Sequence, residues 1–192
     1  MALNKGRCAW VTSVGLALSM ALVGCSGSTE VDSTPTPSTP TPGVSATPTP
    51  TPSPTPTPST ASEQAAADGV VAYLRVVDKL GSDPESDLNE LNTVATGQAL
   101  AQMQHNLMQY RIEGWRQTGE QVPTFVGSTA GSSAKEWSIT MCIDVSGVDV
   151  VDLDGQSVKN PDGVPRLLTE FLVQQGLTDI WYVAQDEVTA TC

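Results

Sequence analysis

Glu136-Trp137-Ser138-Ile139-Thr140-Met141-Cys142-Ile143-Asp144-Val145 alternates large apolar side chains with small or polar ones over ten residues. Trp137, Ile139, Met141, Ile143 and Val145 share one face of an extended chain, and Ser138, Thr140, Cys142 and Asp144 share the other. Such a strand needs one buried face. The stretch Asp149-Val150-Val151 before Asp152-Leu153-Asp154-Gly155 reads as a strand end and an Asp-Gly turn. Two further strands are expected at 164–174 and 180–188, joined through Gly176. On the N-terminal side, 121–126 is a short strand that Pro123 confines to an edge, because proline cannot donate to a ladder.

Upstream of residue 115 the period changes to helical. Thr60 with Glu63 fits a capping box, and Ala66, Val70, Tyr73, Leu74 and Val77 fall on one helix face, with Gly81 read as a left-handed stop. Asp83-Pro84 reads as the start of a short helix carrying Leu88 and Leu91. A third helix is expected over 98–112, with Leu100, Met103, Leu107 and Tyr110 or Arg111 inward. Helices followed by a meander of strands define an α+β domain, with helices on one face of a curved antiparallel sheet. This domain is expected over 62–192, a length that can bury its own core.

Residues 34–60 are almost wholly Thr, Pro and Ser and hold ten of the fourteen prolines. They offer nothing apolar to bury and no regular ladder, so a disordered, polyproline-like stalk over 25–61 is expected. It reads equally as an O-glycosylated stalk or a plain spacer.

At the N-terminus, Lys5 and Arg7 precede an apolar stretch over 10–23 that ends in Leu22-Val23-Gly24-Cys25. The stretch is shorter than the roughly 20 residues a membrane span needs. It reads as a lipoprotein signal peptide over 1–24, with Cys25 the residue that takes lipid after cleavage. The protein is then expected on the outer face of the cell membrane, held by acyl chains such as palmitate. That assignment removes Cys8 with the signal peptide and Cys25 to lipid. Cys142 and Cys192 remain as one pair in an oxidising compartment, and a disulfide between them is expected. It would close a loop contributing about 3–4 kcal/mol.

The net charge is −12, from 9 basic and 21 acidic residues, with no basic cluster after the signal peptide. Nucleic-acid binding therefore has no electrostatic footprint. The single histidine, His105, is rotated away from the core stripe of its helix, which leaves neither a histidine base nor a zinc set. The Asp152–Gly155 run misses two ligand positions of a calcium loop, and reads as an acidic turn. Gly127-Ser128-Thr129-Ala130-Gly131 has threonine where a nucleophile elbow needs serine, and is expected to be a flexible loop. Tyr73, Tyr110, Trp115, Trp137, Phe171, Trp181 and Tyr182 either line a pocket or fill the core.

Three stretches carry a resemblance. They are Gly97-Gln98-Ala99-Leu100-Ala101-Gln102, then Tyr110-Arg111-Ile112-Glu113-Gly114-Trp115-Arg116-Gln117-Thr118-Gly119, then Cys142-Ile143-Asp144-Val145-Ser146-Gly147-Val148-Asp149-Val150-Val151-Asp152. Over about residues 65–192 the chain resembles a family of secreted actinobacterial lipoproteins with a cystatin-like cone, the nuclear transport factor 2-like or SnoaL-like fold. The family pattern has a cysteine in the central strand and another near the C-terminus, matching Cys142 and Cys192. It carries no known catalytic residues and no cofactor. Many cone folds place a small hairpin before the third helix. Residues 92–97 leave almost no room for one, which removes an element that shapes the pocket mouth.

The resulting expectation is a lipid-anchored envelope protein with a non-catalytic binding or assembly module. Its partner would be another envelope protein or a small apolar ligand. Two rivals are a ketosteroid isomerase-like enzyme, which needs a buried carboxylate paired with Tyr or His, and an accessory subunit of an envelope transport complex.

Overall fold

A computed structural model of the chain describes residues 56–192. The lipobox with Cys25, and the Thr/Pro tract up to residue 55, lie outside the described residues. In chain order the elements are α1 (Ala61–Ser82), a 3-10 helix (Leu88–Thr93), α2 (Gly97–Glu113), β1 (Arg116–Thr118), β2 (Val122–Ala130), β3 (Glu136–Asp144), β4 (Asp149–Val151), β5 (Arg166–Gln175) and β6 (Trp181–Thr191). Strands β2-β3-β5-β6 form one antiparallel sheet, and β1 pairs with β4 in a separate two-stranded ribbon. The domain is α+β, with its helices packed against an open antiparallel sheet, as expected for a cystatin-like cone. Among the described residues no helix is long and apolar enough to cross a membrane.

Helix α1 starts where the sequence signals it. The Thr60 hydroxyl accepts from the Glu63 amide, and the Glu63 carboxylate accepts from the amides of Ser59 and Thr60. Its apolar stripe of Ala66, Val70, Tyr73, Leu74 and Val77 is buried against the sheet. Burying each Val or Leu of this stripe contributes about 1.5–3 kcal/mol relative to exposure.

The helix does not stop at Gly81. It runs on to Ser82 and is closed by Asp83 in an extended conformation. Gly81 serves close approach instead: a Cβ there would lie 3.0 Å from Gln117 Oε1 and 3.2 Å from Gln117 Cβ. Asp83-Pro84 likewise starts no helix. Asp83 caps a turn by accepting from Ser86, and the following 3-10 helix is capped by Asp87 through the Asn89 amide. Gly114 does adopt the left-handed conformation, φ 70°, that ends α2.

The ten-residue alternation holds in β3, at the centre of the sheet between β2 and β5. Ile139, Met141 and Ile143 are buried on the helix side. Cys142 is also buried, on the opposite face, because its sulfur is bonded to Cys192 at 2.06 Å with Cα atoms 6.0 Å apart. Cys142 pairs with Leu168 of β5, and Leu168 pairs with Ala190 of β6. The disulfide therefore straps β3 to the end of β6 across β5.

Three register shifts bend the sheet. In β2 the extra residue is Val126, and in β6 the extras are Ala184 and Thr189. Each extra residue inverts which side chains face the core beyond it. In β2 this extends the strand through Ala130, so Gly127 to Ala130 form the second half of an edge strand rather than a loop. Ser128 is opposite Ile139, on the core side, where its hydroxyl donates to Glu63. Pro123 lies on the same edge strand. At the other edge, the backbone of Val183 exchanges hydrogen bonds with Val94 and Thr96, which shields part of β6.

The Glu63 carboxylate is held down to about 2 from an ordinary 4.5, first by the Ser128 hydroxyl, then by the hydroxyl and amide of Ser59 and the amide of Thr60. A carboxylate whose folded pKa is depressed stabilises the domain above the ordinary value and ceases to as pH falls through the folded one. Wild type is expected to melt higher than Glu63→Gln at pH 7, with the gap closing between about 4.5 and 2. A gap that stays constant over that range would show that the charge contributes nothing.

Candidate functional site

Helix α1, helix α2 and strands β3, β5 and β6, with Gln121 of the β1–β2 connection, line a cavity of about 170 Å³ that is partly open to solvent. Its walls are mainly apolar: Leu74, Val77, Met103, Ile143, Leu167 and Val188, together with the rings of Tyr73 and Phe171. Those two rings meet edge to face, with centroids 6.4 Å apart and planes at 71°. Both side chains are almost fully buried, so they pack the core and line the cavity at once.

Tyr73 Oη donates to Asp186 Oδ2 at 2.7 Å. The other oxygen, Asp186 Oδ1, is buried with no hydrogen-bond partner. Burial pushes the Tyr73 phenol well above its ordinary range, and the Asp186 charge and hydrogen bond push it further. The phenol is a fixed donor at any physiological pH. Thr169, Gln102, Gln121 and Glu187 complete the polar lining, which contains no Lys, Arg or His.

Asp186 reaches this position through the Ala184 bulge. Strict alternation from Trp181 and Val183 would turn Gln185 and Glu187 inward. With Ala184 as the extra residue, Asp186 pairs with Phe171 and shares its core-side face, while Gln185 pairs with Leu172 on the other. Asp186, in the cavity lining, has one oxygen buried, and Glu63 and Asp78 are buried elsewhere. The only sequence signal was the run Gln185-Asp186-Glu187 interrupting an apolar strand pattern.

The buried Asp78 is a structural anchor. Its Oδ1 accepts from Gln117 Nε2 at 2.6 Å and Gln121 Nε2 at 2.9 Å, and its Oδ2 from the Gln121 amide at 3.0 Å. These bonds tie the β1–β2 connection to α1. They also leave the larger open groove along α1 and residues 119–123 without a free carboxylate oxygen at Asp78.

The other sequence candidates lie apart from the cavity. His105 is on the exposed face of α2. Asp152 accepts from the amides of Asp154 and Gln156, as a turn aspartate does. Cys142 and Cys192 lie on the far side of the sheet from the helices. Among the described residues no group of three or more His, Cys, Asp or Glu could hold a metal ion.

No protein-family model matches this chain, and no curated protein matches it either. Among solved structures, the intermembrane space region of the chloroplast protein ARC6 is similar, with a TM-score of 0.52 and 14% identity over 65% of this chain and 95% of that one. A ketosteroid isomerase-like protein from Erwinia carotovora atroseptica is a more distant match, with a TM-score of 0.41 and 11% identity over 64% of this chain and 90% of that one. At such identities the likeness concerns the fold alone.

Proposed function

We propose that this chain is an exported, lipid-anchored protein of the cell envelope, whose cone domain binds a small ligand in the Tyr73–Asp186 cavity without transforming it. The address rests on the lipobox ending at Cys25 and on the Thr/Pro tract that follows, which would serve as a stalk. Cys25→Ser is expected to abolish labelling by radioactive palmitate and to release the protein or leave an uncleaved precursor. Undiminished labelling would refute the anchor.

The binding reading is carried by the cavity itself: a mostly apolar, partly open space with the Tyr73–Asp186 hydrogen bond in its wall. Small-ligand sites have this make-up, apolar walls with a few placed polar groups. Against catalysis stands the phenol, whose proton is committed to Asp186 and too tightly held to be donated near neutrality.

A second reading, an acid–base enzyme in the same cavity, is favoured by the pairing of a carboxylate with a phenol, Asp186 with Tyr73. Titration of the mature protein with a set of small amines, alcohols and ketones, followed by amide NMR, separates the two. Binding predicts shifts clustered at Tyr73, Thr169, Phe171, Asp186 and Val188, with every fragment unchanged. Conversion of a fragment that stops in Asp186→Asn would establish the enzyme instead. Shifts scattered over the surface, or none, would end both readings.

A further inference from the structure

We infer that the strap between Cys142 and Cys192 is a thiol-exchange site, where a small aliphatic thiol attacks Cys192 and Cys142 leaves as a thiolate held by Arg166. The site lies across the sheet from the cavity and does not depend on what the cavity binds.

The first ground is the unequal setting of the two cysteines. Cys142 is 4% exposed in the central strand, paired with Leu168 of β5. Cys192 is exposed and lies just past the end of β6. An incoming thiolate therefore meets Cys192 first, and exchange goes through the accessible partner.

The second ground is Arg166. Among the described residues its side chain makes one hydrogen bond, from Nη2 to Cys142 Sγ at 3.3 Å, and no ion pair. A disulfide sulfur is a weak acceptor, whereas a thiolate in its place would take a charge-assisted bond. Three carboxylates, Asp144, Glu170 and Glu187, share this face of the sheet. Asp144 is opposite Arg166 and accepts from the Ser146 amide, and Glu170, opposite Glu187, accepts from the Ser138 hydroxyl. None of the three bonds the guanidinium, which stays directed at sulfur. Burial beside Leu168 disfavours a Cys142 thiolate, and a cation at bonding distance offsets that cost. Arg166 itself is exposed, so solvent screens part of its field and the effect is moderate.

The step balances without an added oxidant. A lone pair of the attacking thiolate forms a bond to Cys192 Sγ, the S–S bond breaks, and its electron pair leaves on Cys142 Sγ. The product is a mixed disulfide on Cys192. A second thiol removes that adduct as the small symmetrical disulfide and leaves both cysteines reduced.

The test exposes the full mature chain to 2-mercaptoethanol under native conditions, followed by trapping with N-ethylmaleimide and peptide mass spectrometry. The mercaptoethanol adduct is expected on Cys192 and the maleimide on Cys142. Opening is expected to slow about 3–10-fold in Arg166→Gln and to recover in Arg166→Lys, because a thiol made less basic by a neighbouring cation leaves faster. An adduct on Cys142 would overturn the direction of attack, a result that needs no variant to fold. An Arg166→Gln rate equal to or above that of the wild type would overturn the role of the guanidinium. A strap that opens only in denaturant would overturn the exchange site altogether.

Discussion

Phe171→Ala is expected to destabilise the domain by about 3–5 kcal/mol, the range for truncating a buried aromatic residue. Phe171 is 1% exposed at the centre of the four-stranded sheet, paired with Ile139 on one side and Asp186 on the other. Its ring packs edge to face on Tyr73, which anchors α1 to the sheet. The upper part of the range applies because the site already borders a cavity of about 170 Å³. The void left by the ring merges with that space, and the neighbouring strands are held in register and cannot collapse into it. Urea unfolding checks the value. A domain of this size has only about 5–15 kcal/mol in total, so the variant should unfold at markedly lower denaturant. A loss below about 1 kcal/mol would mean that α1 closes onto the sheet when the ring is gone. Phe171→Leu, which keeps most of the volume, is expected to lose far less.

Replacing both cysteines of the strap, Cys142→Ser with Cys192→Ser, is expected to cost about 3–4 kcal/mol and to lower Tm by roughly 10–15 °C. The bond closes a loop with a sequence separation of 50, so breaking it returns considerable freedom to the unfolded chain. A native-state term adds to this. Cys142 is 4% exposed, so a serine hydroxyl there loses the sulfur contacts and is covered by Leu168 and its neighbours. Differential scanning calorimetry in the presence and absence of reductant gives the same comparison on the wild type. If reduction leaves Tm within 2 °C or so, the C-terminus is held by the β5–β6 ladder alone.

Local signals were legible wherever one element suffices to read them. The Thr60–Glu63 capping box needs four residues, and α1 starts there. The helical stripe of α1 and the ten-residue alternation of β3 are periodicities, and a periodicity that repeats several times outweighs single-residue exceptions. Misreadings cluster where one residue was asked to decide. Gly81 was read through its backbone freedom, yet what selects glycine there is Gln117, a residue 36 positions later that closes against the helix. Gly127 to Ala130 has the composition of a loop, and only pairing with β3 makes it a strand. In the β1–β4 ribbon Asp149–Val151 is strand as read, while β1 is three residues, Arg116–Thr118, too short to leave a pattern of its own.

The sequence by itself determined the class of this domain: helices first, a central half-buried strand, a meander after it, and one cysteine pair, because caps, periods and composition are properties of neighbours along the chain. The candidate site was decided only in three dimensions. Asp186 faces the core because Ala184 is accommodated as an extra residue against β5, and its partner Tyr73 stands 113 residues earlier on α1. A bulge is chosen by the register of two strands at once, and a register is a relation between distant segments. Once Ala184 is placed, the side chains from Gln185 to Val188 change face, and an acidic residue that strict alternation would leave in solvent enters the wall of an apolar cavity.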